Sequence, residues 1–211
     1  MDESFSANKR GDYETAFKGF KKHAESGNAN AQGVLALMYA NGKGTPKDST
    51  QAVYWYRKSA DQGSAESQSY LGFMYATGQG VPLDYTQAMF WFRKAAEQGI
   101  RKAEFNLGNG YFNGQGVPKD YKQAVYWYRK AADQGDVGAQ FNLGLRYYNG
   151  EGVKSNPETA YFWWLLASAE GFSDAIKNRD ILASSLTPQQ RANAQALARE
   201  WKPVKATSAL N

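Results

Sequence analysis

Residues 84–99 read DYTQAMFWFRKAAEQG, and near copies flank them: DSTQAVYWYRKSADQG at 48–63 and DYKQAVYWYRKAADQG at 120–135. Weaker echoes begin at Asp12 and Asn156, so five starts share one interval of 36 residues. Each copy is followed by a second block of the type NLGNGYFNGQGVP, residues 106–118, which closes on a Gly-x-Gly turn. Strict self-similarity at such a period marks an array in which one supersecondary unit is stacked on its neighbours. It also places function on a surface shared by several copies, not in a compact motif.

One copy reads as a pair of helices. Asp84 with Gln87 has the capping-box spacing, repeated in Asp48/Gln51 and Asp120/Gln123. Asn156 precedes Pro157, the residue favoured at a first helical position. Gly27, Gly63, Gly99, Gly135 and Gly171 fall where a left-handed residue ends the first helix. Winding at about 100° per residue collects Ala88, Trp91, Phe92 and Ala95 on one side, and they recur in register as a core face. The second helix runs roughly over 101–113 and ends at Gly114, with Ala103, Leu107 and Tyr111 on one face. Gly108, repeated as Gly72 and Gly144, costs about 1 kcal/mol of helix propensity, which predicts that two helix backbones meet closely there.

A lone helix pair cannot hide such aromatics. A buried Trp or Tyr covers roughly 150–250 Å², several kcal/mol at about 25 cal/mol per Å². Trp55, Trp91, Trp127 and Trp163 are therefore expected between helices as structural residues. The ends depart from the pattern, as terminal repeats must. Gly19 replaces the tryptophan and His23 a small residue, read here as a local exchange of volume on the core face. Near the other end, Thr187, Pro188 and Gln190 open a capping helix over 187–201, with Leu186, Ala194, Leu197 and Trp201 placed to seal the last repeat. The expected organisation is one array over 1–201: a partial unit at 1–11, repeats from about 12, 48, 84, 120 and 156, and the cap. Residues 202–211 read as a flexible tail.

Composition narrows the classes of function. The 211 residues are 42% hydrophobic, 15% aromatic and 21% charged, with net charge +5, so the chain should fold. Its basic residues recur at equivalent helix positions (Arg57/Lys58, Arg93/Lys94, Arg129/Lys130), a solvated face near a helix C-terminus, and no nucleic-acid partner is expected. Without cysteine there are no disulfides and no thiolate metal sites, and no apolar run is long enough to span a bilayer.

The pattern A-x-x-x-L-G-x-x-Y-x-x-G-x-G-V followed by D-Y-x-x-A-x-x-W-Y-x-K-A-A-x-x-G resembles the Sel-1-like repeat family, a relative of the tetratricopeptide solenoids. The likeness covers residues 12–170. It implies an all-α fold, a right-handed superhelical α-solenoid of antiparallel helix pairs whose Leu-Gly-Tyr helices line the concave side. It further implies a bacterial scaffold or adaptor that binds a protein or peptide, as a monomer or weak homo-oligomer. Residues 2–10 look like the last turns of a helix whose start is missing, so a periplasmic or secreted protein with its export signal trimmed is expected, a cytoplasmic one being the alternative.

With the Leu/Tyr face packed, the opposite side of the second helices should line the groove: Gly33, Leu37, Ala40; Ser69, Phe73, Ala76; Phe105, Asn109, Phe112; Phe141, Leu145, Tyr148. It grows more aromatic towards the C-terminus. The candidate partner-binding residues are Phe73, Phe105, Asn109, Phe112, Phe141, Asn142, Leu145 and Tyr148. Asn109 and Asn142 resemble two asparagines of the tetratricopeptide carboxylate clamp, but Phe105 and Asp174 stand at its lysine positions, which argues against recognition of a C-terminal carboxylate. A second ladder, Tyr54, Phe90, Tyr126 and Phe162, is read as inter-helix packing on the convex side.

No catalytic, cofactor or metal residues are expected. One histidine supplies no base–nucleophile pair. Ser6 and Lys9 have the S-x-x-K spacing of penicillin-recognising enzymes, yet the companion motifs S-D-N and K-T-G are missing. Binding or hydrolysis of peptidoglycan-like or β-lactam compounds is one alternative to the scaffold reading, and structural self-association is another.

Overall fold

The helices begin where side chains supply the acceptors that a first turn lacks. In a computed structural model that describes residues 3–204, Asp48, Asp84 and Asp120 accept from the backbone N–H of Gln51, Gln87 and Gln123 at 2.9, 3.0 and 3.0 Å. The other half of the expected capping box is not made there. The N–H groups of these aspartates donate instead to the carbonyls of Tyr39, Tyr75 and Tyr111, at 3.0, 3.0 and 2.9 Å. That bond ties the start of each helix to the end of the one before it, so no glutamine side chain is required. A full box forms at Thr187 and Gln190.

The described residues form twelve α-helices and no strand, in two compact units divided between Ile100 and Arg101. The first unit holds α1 (Glu3–Arg10), α2 (Tyr13–Glu25), α3 (Ala29–Asn41), α4 (Ser49–Asp61), α5 (Ala65–Thr77) and α6 (Tyr85–Glu97). The second holds α7 (Arg101–Asn113), α8 (Tyr121–Asp133), α9 (Val137–Asn149), α10 (Pro157–Ala169), α11 (Ser173–Ala183) and α12 (Pro188–Glu200). In each unit, helices close in sequence pack on one another: α3 on α4 and α5 on α6 in the first, α7 on α8 and α9 on α10 in the second. All five predicted helix-ending glycines have positive φ.

The core follows the sequence periodicity. Ala88, Trp91, Phe92 and Ala95 are buried, as are Leu35, Leu71, Leu107 and Leu143 and all four repeat tryptophans. The helical glycines serve a different purpose from the one expected. A Cβ added at Gly72 would lie 2.7 Å from Cδ1 of Phe92, and one at Gly108 would lie 2.5 Å from Cδ1 of Tyr128. An aromatic ring, not a second backbone, makes the close approach.

The ends also differ from expectation. Gly19 does not exchange volume with His23, which is exposed. Its space is taken by α1: a Cβ at residue 19 would lie 2.1 Å from Oγ of Ser4, and Phe5 meets Phe20 edge to face at 4.8 Å. Around α12, Leu186 and Ala194 are buried, whereas Leu197 is 59% exposed and seals nothing. Of the segment expected as a flexible tail, 202–204 run beside the turn between α8 and α9, and 205–211 lie outside the described residues.

Candidate functional site

Within the second unit, Phe105, Asn109 and Phe112 recur at helical spacing along α7, and Phe141, Asn142, Leu145 and Tyr148 along α9. The two helices touch at both ends of this row. A Cβ at Gly138 would be 3.2 Å from Cζ of Phe105, and the Arg146 guanidinium lies 3.9 Å from the Phe112 ring centre. Phe112 also meets Tyr121 at 5.5 Å. Phe141 packs on Phe172 at 4.9 Å, and Tyr148 on Trp164 at 5.7 Å. The predicted residues of this unit thus share two adjacent helices. Phe105, Asn109, Phe112, Phe141, Asn142 and Leu145 are half-buried, while Tyr148 is 49% exposed. Phe73 lies on α5 of the first unit and is 46% exposed.

Polar groups set this face in ways that the pattern alone did not reveal. The buried Tyr128 donates its hydroxyl to Oδ1 of Asn109 at 2.7 Å, which fixes the asparagine amide. Burial pushes the Tyr128 hydroxyl well above its ordinary pKa. Arg146 is itself buried, and its Nε lies 3.1 Å from Oε2 of Glu151. It departs from Met38 and Met74 at the same repeat position, a signal visible in the sequence.

A second departure lies deeper. Gln32, Gln68 and Gln140 are buried and donate to the carbonyls of Ala24, Ala60 and Ala132. Their equivalent in the α7 repeat is Glu104, 2% exposed, whose Oε2 accepts from Nε2 of Gln134 at 2.7 Å. Burial raises its carboxyl to about 7; Asp133 adds to the rise, and Lys130 and Gln134 oppose it.

The second aromatic ladder is not inter-helix packing throughout. Tyr54, Phe90 and Tyr126 are each about half exposed and lie edge-on to the tryptophan next in sequence, at 4.9, 5.0 and 4.9 Å. Lys58, Lys94 and Lys130 cover the same rings. A residue pointing outward one place before a buried tryptophan reaches that ring and no further. Phe162, by contrast, is half-buried and packs against core residues.

Ser6 and Lys9 lie on α1, Ser6 half-buried and Lys9 exposed. Among the described residues no cluster of three or more His, Cys, Asp or Glu side chains forms a metal site, and no helix is long and apolar enough to cross a membrane.

Repeated packed helix pairs without strands among the described residues define an α-solenoid. The Sel1 repeat model matches residues 29–64, 65–100, 101–136 and 137–172, and the chain belongs to this family, whose members are generally non-catalytic protein–protein interaction scaffolds. Among similar solved structures is a protective antigen present in uropathogenic Escherichia coli strains that displays an SLR fold. It shares 38% identity with a TM-score of 0.81, over 93% of this chain and 45% of that one. The present chain therefore spans less than half of that antigen. A Sel1 repeat protein from Oxalobacter formigenes shares 31% identity and a TM-score of 0.81, over 97% of this chain and 86% of its own. No curated protein matches the sequence.

Proposed function

We propose that the chain is a non-catalytic scaffold that holds an apolar segment of a protein or peptide partner against the α7–α9 face. The observation behind this reading is the way the aromatic side chains are held. Phe105, Phe112, Phe141 and Tyr148 are each pinned by a neighbouring ring, by Gly138 or by Arg146, and each keeps some surface open to solvent. Such rings lose little freedom on binding, and a cluster of fixed aromatics is where affinity concentrates. Asn109, oriented by Tyr128, adds a directed polar group to an otherwise apolar strip. On α5 of the first unit, Phe73 is a separate exposed aromatic, 46% exposed.

The repeats themselves supply folding-compatible substitutions. Ser69, Ala76 and Ala40 occupy the places of Phe105, Phe112 and Tyr148 in the earlier repeats. Selection from a phage-displayed random dodecapeptide library on the wild-type chain should enrich aromatic and aliphatic sequences. The Phe105→Ser/Phe112→Ala/Tyr148→Ala chain, folded by circular dichroism, should lose the selected peptides at least tenfold. Equal binding by both chains, or no enrichment at all, would refute the assignment of this face.

A further inference from the structure

Beyond α12 the chain turns extended at Trp201 and passes over the α8–α9 turn. Val204 donates its N–H to the carbonyl of Asp133, the last residue of α8, at 2.8 Å. A Cβ built on Gly135 would lie 3.5 Å from Cβ of Pro203 and 3.8 Å from Cη2 of Trp201. The corresponding glycines of other repeats, Gly27, Gly63 and Gly171, have nothing within 4 Å of the same point.

The floor of the covered turn is also distinct. Trp201 packs against the core cluster that contains Trp163 and Leu166. Leu165 and Leu166 replace the Arg-Lys pair found at the same place in the preceding repeats, Arg129/Lys130 and Arg57/Lys58. Leu166, in place of a lysine, thereby joins the apolar cluster on which Trp201 packs. Three features meet: an apolar floor, a glycine with no side chain to obstruct, and a helix-terminal carbonyl that needs a donor. The segment that fits carries an aromatic anchor, a proline over the glycine and an N–H one residue later.

We propose that the α8–α9 turn is an acceptor site for this extended segment, filled within the chain by Trp201–Val204 and equally by the same segment of a second copy. The occupant follows from fit: each copy carries one strap and one acceptor, so exchange between copies remakes the same contacts and changes only the hinge at Glu200–Trp201. Lys202, Pro203 and Val204 are exposed, so Trp201, half-buried against the core cluster, is the one apolar anchor that must be lifted when the strap leaves.

The probe is the labelled peptide acetyl-EWKPV-amide, residues 200–204, titrated against the intact chain and a chain ending at Glu200. Saturable binding to the shortened chain, at least tenfold weaker to the intact one, is expected. Leu166→Lys, which restores the residue of the preceding repeat, should abolish binding by the shortened chain while its helicity is unchanged. If the shortened chain does not fold, Val204→Pro in the intact chain removes the donated N–H and should increase peptide uptake. Equal binding by intact and shortened chains, no binding by either, or no effect of Leu166→Lys would each overturn the proposal. A peptide that binds but is not displaced by an excess of unlabelled intact chain would exclude exchange between copies.

Discussion

Trp164 fills the space in front of Gly144: a Cβ at residue 144 would lie 2.3 Å from the indole Nε1, which donates to the carbonyl of Phe141 at 3.2 Å. The same relation links Gly108 to Tyr128 and Gly72 to Phe92. Helix propensity alone favours alanine over glycine by about 1 kcal/mol, so the glycines are retained against their local preference. Gly108→Ala is expected to lower stability by about 1–2 kcal/mol, because forcing a methyl into a packed ring costs roughly 1–3 kcal/mol. Urea unfolding of the variant checks it. Ala36 occupies this place in the first repeat, where the corresponding ring, Tyr56, is stacked on Tyr70 at 5.1 Å.

Glu104 gives a pH dependence. Its folded-state carboxyl, raised by burial to about 7 from an ordinary value of 4.5, holds a proton that the unfolded chain has already released. Its contribution is therefore full below pH 4.5, falls as pH rises through the window up to about 7, and is lost above it. The loss is on the order of 3 kcal/mol. Glu104→Gln, the residue present at 32, 68 and 140, should be more stable than the parent at pH 8, with the gap closing by pH 5. Parallel urea titrations at the two pH values measure this; a constant difference would contradict it.

The caps separate two kinds of glutamine. Asp120→Ala should cost about 1 kcal/mol, since its carboxylate caps α8 through the N–H groups of Lys122 and Gln123. Gln123→Ala should be nearly neutral, because Tyr111 already takes the Asp120 N–H. Gln190→Ala should be measurably destabilising, since that side chain accepts from the Thr187 N–H at 3.0 Å. Thermal unfolding of the three variants ranks them.

Tyr126→Ala tests the exposed ladder. With half of the ring already in water, the loss of stability should stay below about 1 kcal/mol. Trp127 loses its edge-on cover, so tryptophan emission should shift to the red without a change in helix content. An unshifted spectrum would show that the ladder does not shield the indoles.

Much of this was legible in the repeats because a pattern copied several times averages out local exceptions. Asp48, Asp84 and Asp120 read as caps, and Trp91 and Leu107 read as core, since each is confirmed by its copies at the same spacing. What stayed hidden were the departures and the partners. Gly108 announces a close approach, yet only the folded chain shows that a ring lying twenty residues ahead makes it. Arg146 and Glu104 stand out against Met38, Met74 and the buried glutamines, but a change of residue type does not disclose the ring or amide it meets. Along the candidate face, helical spacing put Phe105, Asn109 and Phe112 in one row. The hydroxyl that orients Asn109 comes from another helix, and one-dimensional periodicity carries no information about that.

The second glycine of three Gly-x-Gly turns, Gly44, Gly80 and Gly152, seats its loop on the first residue of an earlier helix: a Cβ at Gly80 would lie 2.2 Å from the carbonyl oxygen of Ser49, and one at Gly152 the same distance from that of Tyr121. A lengthened loop would lift off that seat and disturb a helix some thirty residues upstream. Molecules built this way accept an added or deleted whole block far more readily than a single inserted residue. The step that such a change would take is 36 residues, the length of each of the four matched repeats.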